Sequence, residues 1–115
     1  MHGLGNKMMF LIFQLTQAKR LGYTPLITEE AKAEMKEIFP RLKVLTFEEA
    51  KCTANSPGKY RRQLQVHLVA NCAFLDIVRI PWTLFLSNTR DHMLSLAKGR
   101  NIYIDGYPMP NGHMR

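Results

Sequence analysis

A chain of 115 residues with 46% apolar and 22% charged residues is close to the globular average. That balance excludes disorder along its whole length and leaves room for one small domain or part of a larger one. The net charge of +7 admits an anionic partner, but its Lys and Arg residues are dispersed and only Lys59-Tyr60-Arg61-Arg62 forms a short basic patch, so a solvated basic surface is the better reading than a nucleic-acid interface.

In chain order, Gly3-Leu4-Gly5 reads as a tight turn with Asn6 placed to cap a following helix. From Lys7 to Leu21 the residues Met8, Leu11, Ile12, Leu15, Ala18 and Leu21 recur at helical spacing, with Gln14 and Gln17 on other faces. Lys19 and Arg20 suit the negative end of the helix dipole, and Gly22 supplies a left-handed cap. The apolar run Met8–Phe13 is far short of the ~18–20 residues that span a bilayer. Tyr23 to Ile27 then reads as a short strand in spite of Pro25. Thr28 caps a second helix with Glu29 and Glu30 in its first turn, Ala31, Met35, Ile38 and Phe39 as its apolar stripe, and Pro40 as its stop. Leu42 to Phe47 is a second strand or its approach.

Asn55-Ser56-Pro57-Gly58 marks a loop. Tyr60 to Ile80 is ambiguous: Leu64, Val66, Leu68 and Ala70 alternate as in a strand, whereas Leu68, Cys72, Leu75 and Val78 suit a helix. A strand followed by an apolar stretch up to Pro81 is the preferred reading. After apolar Trp82–Leu86, Ser87-Asn88-Thr89 offers a cap for a short helix through Lys98, ended by Gly99. Ile102-Tyr103-Ile104 is a final strand, Asp105-Gly106 a turn, and the residues from Pro108 to Arg115 a loop. Helices alternating with strands fit an α/β layer arrangement.

Cys52 and Cys72 form neither a C-x-x-C motif nor half of a zinc site. A disulfide and two buried thiols are equally compatible with them. His2, His67, His92 and His113 are too dispersed for a metal signature and read as surface or core residues.

Gly3-Leu4-Gly5-Asn6 opening a helix has a chemical use of its own. Glycines allow close backbone approach, free N–H groups at a helix start attract oxyanions, and the Asn6 amide can donate to an oxygen. A capped helix after a turn explains the same residues. Met8 stands where a G-x-G-x-x-G fingerprint would have its last glycine.

Gly3-Leu4-Gly5-Asn6-Lys7-Met8, followed by a helix closing in Ala18-Lys19-Arg20-Leu21-Gly22 and by Tyr23-Thr24-Pro25-Leu26-Ile27, resembles the amino-terminal signature of the α-1,2-fucosyltransferases, glycosyltransferase family 11. Ile102-Tyr103-Ile104-Asp105-Gly106-Tyr107 is similar to a later strand and D-G-Y turn of the same family. The resemblance implies that residues 1–115 are an incomplete Rossmann-like amino-terminal domain of a GT-B glycosyltransferase. It implies GDP-fucose as donor substrate, a galactoside glycan as acceptor, inversion at the anomeric carbon, and no required cofactor or metal. Gly3, Gly5 and Asn6 would then contact donor or acceptor, and a eukaryotic enzyme of this kind would sit in the Golgi membrane, by an anchor this sequence lacks.

The departures from the family are specific. No H-x-R-R-x-D motif for the diphosphate is present, Lys7 replaces a common Gln, Pro108-Met109 replaces Phe-Gln, and no strand precedes the glycine loop. The expectation is therefore an inactive and marginally stable chain, with an unpaired sheet edge where that strand would lie. The alternative from composition is a small basic α/β binding module for an anionic partner such as nucleic acid.

Overall fold

A computed structural model describes residues 2–52, 65–72 and 76–106, with side chains from residue 8 onward. The chain is a mixed α/β fold. Helix α1 (His2–Leu21) leads through Gly22 into β1 (Thr24–Ile27), followed by α2 (Glu29–Ile38) and β2 (Leu45–Thr46). Then come β3 (His67–Val69), β4 (Ile77–Pro81), α3 (Trp82–Ser87), α4 (Arg90–Ala97) and β5 (Asn101–Asp105).

The element boundaries have local causes. Gly22 adopts φ +77 where α1 ends, a conformation that favours glycine. The Thr28 side chain accepts from the Ala31 N–H, and the Thr89 side chain from the His92 N–H, each satisfying a donor that a helix start leaves free. The α4 end is as the sequence suggests, with Lys98 and Gly99 both left-handed. Pro81 closes β4 and directly precedes α3, so the apolar Trp82–Leu86 stretch is helical. The ambiguous segment resolves into two short strands, β3 and β4; residues 53–64 and 73–75, including the Asn55–Gly58 loop and the basic Lys59–Arg62 patch, lie outside the described residues, as do 107–115.

The five strands lie in the order β2-β1-β3-β5-β4. β1 and β2 are parallel, β4 and β5 are parallel, and β3 runs antiparallel to both of its neighbours, β1 and β5. Two βαβ units thus flank one reversed central strand. Both units step across the sheet in the same sense, so crossovers of one hand must put their helices on one face. The apolar core agrees. Leu11 and Ala18 of α1, Met35 of α2, Phe85 of α3 and Met93 of α4 pack in one cluster with Ile27, Leu68, Ile80, Ile102 and Ile104. On the other face Leu26 and Val69 pack with Phe47 and Cys52.

Two expectations need correction here. The edge of β1 toward the sheet centre is not left open, because β3 pairs with it through Thr24↔Val69 and Leu26↔His67. The inward face of α1 keeps Leu11, Ala18 and Leu21 as expected but also takes in Phe10, Gln14 and Gln17, whereas Ile12 is 57% exposed. The reason is polar. Gln14 Oε1 accepts from the Val66 N–H and from Gln65 Nε2, both at 2.9 Å, so a glutamine on the inward line anchors the entry to β3. At the other end of that strand, Asn101 Oδ1 accepts from the Ala70 and Asn71 N–H groups and Asn101 Nδ2 donates to the Asn71 carbonyl. With a ladder of 3 residues, β3 depends on these side chains to satisfy the backbone at both of its ends.

The two cysteines form a disulfide, Cys52–Cys72, resolving the alternatives the sequence left open.

Candidate functional site

The parallel strands β1, β2, β4 and β5 all finish at the same end of the sheet, the end where α/β proteins place their ligands. Helix α1 is longer than the layer it covers. Its Leu21 leads into the opposite end, at Thr24, while Gln14 is already level with Val66 and, through Gln65, with the Ile104 carbonyl near the finish of β5. Upstream of Gln14 the helix continues to His2, about 18 Å at the α-helical rise. Its first turns therefore overhang the strand ends.

Gly3, Gly5 and Asn6 lie in that overhang. The turn expected at Gly3-Leu4-Gly5, with Asn6 as cap, is instead the opening of the helix itself, which begins at His2. Asn6 is thus an interior helical residue. The donors that a helix start leaves free include those of His2, Gly3 and Leu4, and they point away from the sheet at this end. The side chains of these residues lie outside the description.

Below the overhang sits a polar cluster that the sequence reading did not single out. Gln65, 2% exposed, donates through Nε2 to Gln14 Oε1, and more weakly to the Val66 and Ile104 carbonyls. Among the described residues its Oε1 meets no hydrogen-bond partner, and the same is true of Trp82 Nε1 at the start of α3. Trp82 packs edge-on against Phe13 of α1. The only legible signal for Gln14 was its spacing, three residues after Leu11 and four before Ala18, on the line that α1 buries. Asp105, at the end of β5, pairs at 3.5 Å with Arg79, and both are about half exposed.

On the face opposite the helices, the register aligns Leu45, Leu26, His67, Tyr103 and Arg79 in one row across all strands. His67 is edge-on to Phe47 and tilted against Tyr103, and the Arg79 guanidinium stands 5.0 Å above the Tyr103 ring. Burial pushes His67 down from the usual 6.5 to about 4, so it is neutral at pH 7. An imidazole enclosed in this way is a packing residue. His92, by contrast, is exposed at the start of α4.

The Thr89-Arg90-Asp91-His92 stretch is a helix start rather than a phosphate grip. Arg90 Nε donates to the Arg20 carbonyl, and Arg20 donates to the Phe85 and Asn88 carbonyls. These arginines tie α1 to the α3–α4 junction. Among the described residues no three His, Cys, Asp or Glu side chains are grouped so as to hold a metal ion, and no helix is long and apolar enough to cross a membrane. No family model matches the chain, and no curated protein or solved structure matches it either.

Proposed function

We propose that this chain is the amino-terminal part of a glycosyltransferase of the α-1,2-fucosyltransferase type, moving fucose from GDP-fucose to a galactoside acceptor, and that residues 1–115 alone do not catalyse transfer. The observation that supports this reading is spatial. The two segments that carry the resemblance, the opening of α1 and the β5–Asp105-Gly106 turn, are remote in sequence, and both lie at the strand-end side of one sheet.

In this reading the two βαβ units are the remains of a Rossmann-like half of a GT-B enzyme, with β3 taking the central place in reversed direction. Gly3 and Gly5 allow close approach of a sugar or phosphate oxygen to the overhanging helix start, and Asn6 donates to it. The diphosphate leaving group needs arginines that grip its oxygens, and removing one such electrostatic contact typically costs roughly 10²–10³ in rate. The arginines described in detail above are committed to helix carbonyls or to Asp105, which supports inactivity of this chain alone. A disulfide suits the oxidising lumen of a secretory compartment, in keeping with a Golgi location.

The test is amide NMR of the chain titrated with GDP-fucose and, separately, with a galactoside disaccharide. Shifts at Gly3, Gly5 and Asn6 that vanish in Asn6→Ala are expected. The absence of any shift at these amides at millimolar ligand, together with no fucosyl transfer by the product of the native transcript, would sink the reading.

A further inference from the structure

Among the described residues the two halves of the sheet are joined at one place. Among the described residues no pairing connects β1 directly to β5. The β2-β1 unit and the β5-β4 unit meet through β3, which has 3 residues and runs against both neighbours. Outside the sheet, the halves are linked by α1 and the apolar layer beneath the helices. The disulfide is placed on this joint. Cys52 follows the segment that packs Phe47 over His67, and Cys72 follows β3 directly after the Asn101-held residues Ala70 and Asn71. The bond closes a covalent loop containing the whole of β3. The two half-cystines differ in exposure: Cys52 is 1% exposed, whereas Cys72 is an exposed residue.

We infer that the Cys52–Cys72 bond is a redox-sensitive staple that decides whether β3 bridges the two βαβ units. A dithiol reductant reaches the exposed side. Its first thiolate attacks Cys72 Sγ, the Cys52–Cys72 bond breaks, and Cys52 leaves as a thiolate that takes up a proton. The second thiol of the reductant resolves the mixed disulfide, releasing the Cys72 thiol and ending as a disulfide itself. Two electrons pass to the protein. The chain then regains the loop entropy that the cross-link had removed, and a ladder of 3 residues must hold the joint by its core packing and the Gln14 and Asn101 side chains at its ends. The βαβ unit of β4 and β5 keeps its own five-residue parallel pairing, Ile77↔Asn101 to Pro81↔Asp105, and does not depend on the bond.

Native-state hydrogen exchange read by mass spectrometry, with and without dithiothreitol, tests this on the intact chain. On reduction, exchange through His67–Val69 is expected to speed up by about tenfold or more while that of Ile77–Pro81 changes by less than about threefold. Reoxidation restores the first value. The Cys52→Ala/Cys72→Ala double variant should show the same contrast with no reductant present. Unchanged β3 protection after reduction would overturn the inference, as would an equal loss of protection in β3 and β4, which would mark the bond as a general stabiliser.

Discussion

At the scale of single residues, the enclosed imidazole of His67 couples the fold to pH. The unfolded chain takes up a proton on His67 near pH 6.5, the folded chain only near pH 4. Between those values the unfolded state binds more protons, so stability is complete above about pH 6.5, declines as the pH falls, and levels off for this group below about 4. At pH 5 the expected loss relative to pH 7.5 is about 2 kcal/mol. Urea unfolding of His67→Phe should show most of that loss removed; an unaltered pH slope in the variant would contradict it. A second residue-scale prediction concerns Asn101. Asn101→Ala strips the acceptor from the N–H groups of exposed Ala70 and half-buried Asn71, and the two lost hydrogen bonds should cost about 1–3 kcal/mol together. Chemical denaturation of the variant measures this directly.

At the scale of elements, caps and turn glycines are where local sequence acts alone. Thr89→Ala removes the acceptor for the His92 N–H and should destabilise by about 1 kcal/mol. Gly22→Ala meets no atom within 4 Å, so its penalty is conformational only, from φ +77, and should be about 1 kcal/mol. If Gly22→Ala cost several times more in thermal unfolding, the open surroundings of Gly22 would be wrong. These elements were legible because their determinants lie within a few residues of each other: Thr28 before Glu29 and Glu30, Thr89 before α4, Gly22 and Gly99 after their helices. The polar part of α1's inward face was not legible, because a glutamine was assigned outward by its polarity when its partners, Gln65 and the Val66 N–H, lie some fifty residues away.

At the scale of the whole molecule, the decisive feature is a sheet whose halves meet through one short reversed strand. The disulfide that encloses it should contribute about 3 kcal/mol to keeping β3 in place, by restricting the opened 52–72 segment. The oxidised chain is expected to unfold cooperatively, and the reduced chain at a clearly lower denaturant midpoint with a shallower transition. Coincident midpoints in the two redox states would show that β3 is held by its side-chain clamps alone. The proposed glycosyl transfer belongs to this scale too, since in that reading the diphosphate has to be held by groups beyond those described. The isolated chain should therefore show no turnover of GDP-fucose in an assay that detects free GDP.

The sequence by itself determined the α/β class, the positions of α2, α4, β1 and β5, and the residues that stop them. Helical spacing, capping side chains and left-handed glycines are short-range effects that the linear order contains. The tertiary structure alone decided the direction of β3, the placing of all helices on one face, the burial of Gln14 and Asn101, and the joining of Cys52 to Cys72. Each of these depends on which distant backbone groups need partners, and hydrogen-bond satisfaction across a sheet is a property of the assembled layer. The site expectation falls between the two. Gly3, Gly5 and Asn6 were singled out from a local pattern, but only the length of α1 relative to the strands beneath it puts them beyond the end where the parallel strands finish.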